Sequence, residues 1–402
     1  MIGDVKAANV YFDLIIKDTE PRHWHAFTVP FEVNLKKAGK PIQIDGETLT
    51  LGRGYDIVYY DGAARAAHGK SPYNWVYVED GDSTLYPGKA YMIASASRTI
   101  GTVRFTKDPT APLHFSGTLG VEENQSEFGA NDSEKVANSG WNAIGNPLTQ
   151  HALIDASFSA FQVHNGEKIG SDGYTTYLKK DYKRFVVGKA VFVQVGSTGN
   201  LTIEAASNET IIPAAAPRRT ISERNSDKLD VQIAQHNGKM ADRIYIAIDE
   251  DKKEDKYTIG SDLAKLGLST ERAQMWVDRY GEKLCLNTME PVNNQTYYPL
   301  GISVPSAGEY ENYLNEHPEG NVILYLTLDE KPIWNLNYGA YTANLEKGTN
   351  NRYGLRYVKK IATGFEDLTI ENGEAIRKVL VDDKVYIIRN GEVYSITGQL
   401  VK

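Results

Sequence analysis

Short runs in which apolar and polar residues alternate recur along the whole chain. "VYFDLIIKD" puts Val10, Phe12, Leu14 and Ile16 on one side of an extended segment, and Tyr11, Asp13 and Ile15 on the other. This is the period-2 pattern of a half-buried strand. It returns in "YDIVYYDG", "NWVYVEDGD", "KAYMIASA", "GTVRFTKD", "AVFVQVGSTGNLTIEAA", "DRIYIAIDED" and "NVILYLTLDE". Runs at this spacing, with few helical patterns between them, predict an all-β protein of β-sandwiches or barrels. Four Asn-Gly dipeptides, beginning at Asn165, Asn237, Asn372 and Asn390, supply the positive φ values of type I′ hairpin turns. One short helix is predicted, over Ser261–Leu268, with Ser261 or Asp262 as its cap.

Composition shifts divide the pattern. "IIPAAAPRRT", Ile211 to Thr220, holds two prolines that cannot donate to a central ladder. A linker over 211–226 is therefore expected between a β-rich N-terminal region, 1–210, and a β-sandwich, 227–360. A β-hairpin tail is expected over 361–402, its register set by Asn390-Gly391. The N-terminal region also contains an echo. Trp24 to Phe31, "WHAFTVPF", matches Trp141 to Leu148, "WNAIGNPL", at Trp, Ala, Pro and the apolar residue after Pro. Downstream, Gly88-Lys89-Ala90 and Gly188-Lys189-Ala190 each open an apolar strand. Two echoes in one order predict a duplicated β unit.

The 402 residues carry 52 acidic and 44 basic side chains, interspersed, for a net charge of −8. No basic face is found, so nucleic acid is not an expected partner. No apolar run reaches the roughly 18 residues of a spanning helix, so no transmembrane segment is expected. The start lacks a basic n-region and an apolar h-region and does not read as a signal peptide. Either the protein is cytoplasmic, or the chain starts inside a longer or processed polypeptide. Cys285 is the single cysteine, which excludes an intramolecular disulfide; between Leu284 and Leu286 it reads as a small buried side chain.

Candidate chemistry is sparse. His23 and His25 share one face of an extended segment, half of a metal site that would need a third ligand, with Asp18 and Glu20 nearest. The echo places Gly140 and Asn142 at those positions, so no metal is expected there. Asp249, Asp251 and Asp255 offer calcium ligands, but Glu254 stands where an EF-hand loop needs Gly. No nucleophile elbow, P-loop, dinucleotide fingerprint or H-E-x-x-H motif occurs, and no cofactor is expected. With 25 tyrosines and 5 tryptophans, the aromatics cluster: Tyr55, Tyr59, Tyr60, Tyr73, Trp75 and Tyr77; Tyr297 and Tyr298; Trp334, Tyr338 and Tyr341. Such residues pack sandwich cores, or, where exposed, stack on sugars or on a protein partner. The candidate ligand contacts are Tyr55, Tyr59, Tyr73, Trp75, Tyr338 and Tyr341.

"SGWNAIGNPLTQ" resembles the GWN-x-x-GNP segment of secreted and surface proteins of the Bacteroidetes, and "PGKAYMIAS" and "VGKAVFVQVG" are similar to the strands that accompany it. "ADRIYIAIDED", "YGEKLCLNTM", "YYPLGISVPSAGEYENYL", "NVILYLTLDE" and "KGTNNRYGLRY" resemble, in order, the strands of their C-terminal jelly-roll-like sandwich, and the end from "TGFEDLTIENGE" to "GEVYSITGQLVK" their terminal tail. This resemblance implies multiple β-sandwich, jelly-roll-like domains with a C-terminal β-hairpin module. The resemblance covers most of residues 85–402. It implies an extracellular or cell-surface location and roles in adhesion, with glycans or host and matrix proteins as partners, and it carries no active-site residues. The expected function is non-catalytic, adhesion- or scaffold-type binding. The alternatives are a carbohydrate-binding accessory region of a larger secreted hydrolase and, last, a hydrolase in its own right.

Overall fold

A computed structural model describes residues 10–17, 20–36, 41–79, 84–113, 117–155, 158–178, 184–206, 229–249, 252, 255–289, 295–315, 322–359, 376–381, 384–389, 392–395 and 397–401. The protein is all-β, with two α-helices among the described residues, and none of these helices is long and apolar enough to cross a membrane. The chain forms two compact units, Met1–Pro318 with Ile323–Val358, and Glu319–Val322 with Lys359–Lys402. The linker expected over 211–226 lies outside the described residues.

The first unit opens with β1 (Tyr11–Ile15), β2 (His25–Phe27), β3 (Val33–Asn34), β4 (Ile42–Ile44), β5 (Asp56–Tyr60) and α1 (Gly62–His68). Then come β6 (Trp75–Tyr77), β7 (Thr84–Leu85), β8 (Tyr91–Ala94) and β9 (Thr102–Thr106). A second series follows: β10 (Thr118–Val121), α2 (Asp132–Asn138), β11 (Trp141–Gly145), β12 (Ala152–Asp155), β13 (Ala160–His164), β14 (Tyr174–Leu178), β15 (Ala190–Gln194) and β16 (Gly199–Ala205).

The two series share one topology in their main sheets, and the first adds a two-stranded sheet, β3-β7, without a counterpart in the second among the described residues. Each builds a three-stranded sheet, β1-β9-β4 and β10-β16-β12, and a four-stranded sheet, β2-β8-β5-β6 and β11-β15-β13-β14. The pairing register repeats residue by residue: His25 faces Ile93 as Asn142 faces Val193, and Phe27 faces Tyr91 as Ile144 faces Val191. In each series the two sheets share one core. Ile42, Val103 and Phe105 meet Phe27, Ile57 and Ile93 in the first; Leu201 and Ile203 meet Phe161, Val191 and Val193 in the second.

The copies join by a reciprocal exchange. Thr28 N–H donates to Gly188 O at 3.0 Å, and Gly145 N–H, at the position matching Thr28, donates to Gly88 O at 2.8 Å. The two copies are therefore related by a local two-fold, the self-complementary contact of an isologous interface within one chain. Gly88 (φ 81°) and Gly188 (φ 78°) hold the same left-handed conformation, which glycine adopts without steric cost. A Cβ on Gly145 would lie 2.2 Å from Thr28 Cβ, so the close approach of the copies requires glycine on one side.

The rest of the first unit is a twelve-stranded sheet. Its strands are β17 (Leu229–Gln235), β18 (Met240–Ile248), β19 (Leu263–Ala264), β20 (Gln274–Arg279), β21 (Glu282–Met289) and β22 (Gln295–Val304). To these are added β23 (Gly308–Leu314), β24 (Val322–Leu328), β25 (Lys331–Asn335), β26 (Tyr341–Leu345), β27 (Gly348–Asn350) and β28 (Tyr353–Lys359). The order is β25-β24-β28-β22-β20-β21-β18-β17-β23-β26, with β19 on β21 and β27 on β22. The second unit holds a three-stranded meander, β29 (Ile376–Val381), β30 (Lys384–Arg389) and β31 (Glu392–Ser395), one strand more than the hairpin expected there.

Two local expectations are corrected. Ser261–Leu268 is not a helix: Leu263 and Ala264 pair with Leu286 and Leu284. The Asp262 carboxylate caps no helix and instead accepts from Thr288 N–H (2.9 Å), Asn287 Nδ2 (3.0 Å), Thr258 N–H (3.0 Å) and Lys252 Nζ (2.6 Å). Four donors converging on one buried carboxylate outweigh a weak local helix preference. Neither described Asn-Gly pair forms a two-residue turn. Of Asn237-Gly238 only Asn237 takes a positive φ, 57°, in a hairpin whose register shifts at Ile233/Ala234. Asn165-Gly166 opens the long connection between β13 and β14. Asn372-Gly373 and Asn390-Gly391 lie outside the described residues.

Candidate functional site

The local two-fold places two equivalent connections side by side. In the first copy the β5–β6 connection carries α1; in the second the β13–β14 connection runs from 165 to 173. Between them and the segment after β19 lies a cavity of about 810 Å³, within the size range of small-molecule sites. Each copy supplies an aromatic pair from matched register positions: Tyr60 opposite Trp75, and His164 opposite Tyr174. The Tyr60 and Trp75 rings meet edge-on at 5.2 Å, as do those of His164 and Tyr174 at 5.2 Å, and Phe192 meets the edges of Tyr60, Trp75 and Tyr174. Trp24, Val58 and Met92 extend the apolar wall.

The local sequence explains α1. Asp61 Oδ1 accepts from Ala63 N–H (2.9 Å) and Ala64 N–H (3.0 Å), a helix N-cap, four alanines favour the helix, and Gly69 at φ 65° ends it. Gly62 approaches Trp141 O so closely that a Cβ would lie 2.2 Å from it. This docks α1 on β11 and turns Arg65 inward. Arg65 is 1% exposed, its guanidinium carbon 5.8 Å from the Trp141 ring centroid. Among the described residues its Nε and Nη2 meet no hydrogen-bond partner. The Tyr60 hydroxyl lies beside it without closing a bond of ordinary geometry.

The matched connection in the second copy is acidic. Glu167 is buried, and its Oε2 accepts from Ser171 Oγ and from Gly173 N–H at 3.0 Å. Asp172 lines the cavity half-buried; burial pushes its carboxyl up to about 6, with the neighbouring Glu167 adding to the rise while Tyr174 and Arg65 oppose it. Burial holds His164 down at about 3, and the charges of His25 and Arg272 add to this. It is a neutral ring whose Nδ1 accepts from Gly166 N–H at 3.1 Å. Burial also raises the phenols of Tyr60 and Tyr174.

Residues 265–268 and 281–283 complete the wall. Gln162, at the register position of Val58, holds this segment with both ends of its amide, donating to Ala264 O at 2.7 Å and accepting from Leu266 N–H at 3.0 Å. Lys265 is paired with Asp242 in the interior, and Lys70 reaches Glu282 at 2.6 Å.

Of the six candidate ligand contacts, Trp75 alone lines the cavity, with Tyr60 and Tyr77 of the same sequence cluster. Tyr55 is buried in the first copy's core, and Tyr59 packs against that core with Lys89 Nζ 3.4 Å from its ring centroid. Tyr73 (76% exposed) projects beside His68, Tyr338 (82% exposed) projects from the large sheet, and Tyr341 lies 6.2 Å from Trp334. The His23 and His25 rings are 6.4 Å apart. "RHWH" serves as a partner strand for the second connection, through Trp24 N–H to Glu167 O (2.8 Å) and Ile169 N–H to Arg22 O (2.7 Å). Among the described residues no group of three or more His, Cys, Asp or Glu is disposed to hold a metal. Of the calcium candidates, Asp255 is taken by Arg279, Asp249 N–H donates to Met289 O, and Asp251 lies outside the described residues. Cys285 is buried, its thiol donating to Leu263 O at 3.2 Å.

Sequence reasoning missed Arg65, Asp172 and Tyr174. Aligning the two copies beyond the quoted echo sets Tyr60 on His164 and Trp75 on Tyr174, and that alignment points to the cavity. Set against family models, curated proteins and solved structures, the chain matches none of them.

Proposed function

We propose that this is a non-catalytic extracellular or cell-surface binding protein that holds a sugar-sized ligand in the cavity between its two β copies. The observation that carries the reading is the pair of matched aromatic contacts, Tyr60–Trp75 and His164–Tyr174, lining one cavity with polar tips among apolar rings. Walls of this kind suit a pyranose, which offers apolar C–H faces to the rings and hydroxyls to the polar groups. The resemblance to Bacteroidetes surface proteins supports the location.

His164 and the two phenols favour binding over catalysis. His164 is too weak a base to carry a proton near neutrality, and the phenols are too weakly acidic to lose one. Glu167 is turned to Ser171 and Gly173, and Glu282 to Lys70. Asp172, its carboxyl raised to about 6 beside Tyr174 and Arg65, is suited to bonding a ligand hydroxyl. The exposed Trp334 and Tyr338, with the half-buried Tyr341 beside Trp334, favour a second, adhesive contact with a protein or matrix surface. A glycan array on the full chain tests the reading. Hits that weaken with Trp75→Ala support it, and an array silent throughout, or turnover of a glycoside panel abolished by Asp172→Asn, overturns it.

A further inference from the structure

Arg65 is a buried cation in search of an anion. Its nitrogens Nε and Nη2 meet no partner, and among the described residues no carboxylate comes within ion-pair distance, Asp172 acting on it only from farther off. A buried charge is normally paired, because leaving water without a partner is strongly unfavourable. The other cations at the cavity have partners. Lys70 pairs with Glu282, Lys265 with Asp242, and Lys283 reaches Asp278 at 4.0 Å and lies over the Trp276 ring.

Two more buried donors face the same space. The Tyr60 hydroxyl lies beside Arg65 and the Tyr174 hydroxyl beside Asp172, neither closing a bond of ordinary geometry, and both residues line the cavity. A guanidinium with two unpartnered nitrogens and two phenols without a well-formed bond, around one aromatic cavity, make an incomplete hydrogen-bonding shell. We infer that the cavity selects a sugar bearing an oxyanion, received by the Arg65 fork and the Tyr60 hydroxyl, and that the group is the carboxylate of an acidic monosaccharide. This rests on the sugar-binding reading above and narrows it.

The planar guanidinium matches a carboxylate through two parallel N–H···O bonds. A pyranose carboxylate also keeps its charge within one bond of the ring, so the ring reaches Trp75 and Tyr174 while the anion stays on Arg65. Asp172 does not bar it. Burial and Glu167 already weaken its hold on a negative charge, and below about pH 6 the protonated Asp172 donates to a ligand hydroxyl.

The test is calorimetric titration of the full chain with galacturonate, glucuronate and N-acetylneuraminate, against galactose, glucose and glucose 6-phosphate. An acidic sugar is expected to bind about tenfold or more tighter than its neutral parent, the worth of a charge-assisted bond. Arg65→Met is expected to abolish that preference while neutral sugar still binds. Tyr60→Phe is expected to reduce it about threefold, and it keeps the test open should Arg65→Met not fold. Preference for the 6-phosphate over both uronates overturns the carboxylate assignment. Equal binding of acidic and neutral sugars, unchanged in both variants, overturns the inference and leaves the sugar-binding reading standing. No binding by any of the six overturns both.

Discussion

Lys265 Nζ lies 2.6 Å from Asp242 Oδ2, and both side chains are sealed from solvent. The same oxygen accepts from Met275 N–H at 2.9 Å, and Lys265 N–H donates to Lys283 O at 2.7 Å. The pair thus ties β18, β20 and β21 to the cavity wall. Burial pushes the Asp242 carboxyl up and the Lys265 ammonium pulls it down.

Removing one partner strands the other charge. Asp242→Ala and Lys265→Ala are each expected to destabilise the protein by about 3–5 kcal/mol, and the double variant Asp242→Leu/Lys265→Met to recover most of that. Chemical denaturation reads both. A single variant within 1 kcal/mol of wild type, a margin typical of exposed ion pairs, would refute the sealed pair.

The local two-fold predicts matched sensitivity at two distant glycines. A Cβ on Gly88 would lie 2.3 Å from Leu119 Cδ2, and one on Gly188 2.4 Å from Phe12 Cζ. Gly52, at φ 78°, has open space around it. Gly52→Ala is expected to cost about 1 kcal/mol, the backbone strain alone. Gly88→Ala and Gly188→Ala should each lose roughly 2–4 kcal/mol, strain and overpacking together. Thermal melts that rank Gly52→Ala with or below the other two contradict this.

Burial pushes the Cys285 thiol up to about 11, and the thiolate is the reactive form. The native protein is expected to leave Cys285 unmodified by iodoacetamide at pH 8 and to be labelled fully once unfolded. Rapid native labelling, followed by mass spectrometry, is the contrary result.

Asp172 gives a pH signature. Its carboxyl is raised from 3.8 to about 6, with Glu167, Arg65 and Tyr174 around it. The folded state therefore holds this proton more tightly than the unfolded chain. Its contribution to stability is full below the unfolded value and is lost as pH rises through about 6. Asp172→Asn is expected to gain up to about 2 kcal/mol on wild type between pH 4 and pH 7. A difference in melting temperature that stays flat across that range counts against the shift.

The strands were legible because each needs only a period of two and a turn at its end. "YDIVYYDG" and "KAYMIASA" gave β5 and β8 from local pattern alone. Both helices had signals that the strand pattern overshadowed: the Asp61 cap before an alanine run, and the Asn131–Glu134 capping box, in which Glu134 N–H donates to Asn131 Oδ1 at 2.9 Å. The burial of Arg65 was not legible. An arginine in "GAARAAH" reads as solvated, and only the docking of Gly62 against Trp141 turns it inward. The cavity likewise exists only once the second copy and residues 265–283 close over the first. Asp262 misled in the same way, because its four donors come from residues as far off as Thr288.

The strand order inside each copy also governs how the chain reaches its native state. Tyr11 pairs with Thr106, and Thr118 with Thr202, so the first strand of each copy waits for the last. The exchanged bonds, Thr28 to Gly188 and Gly145 to Gly88, then span the two copies. Nearly every contact that closes these sandwiches is remote in sequence, a topology of high contact order whose loop entropy is lost before its packing is gained. Refolding should therefore be slow, on the order of milliseconds to seconds or longer, and a ribosome-bound chain halted before residue 102 has no β9 to pair with its waiting β1.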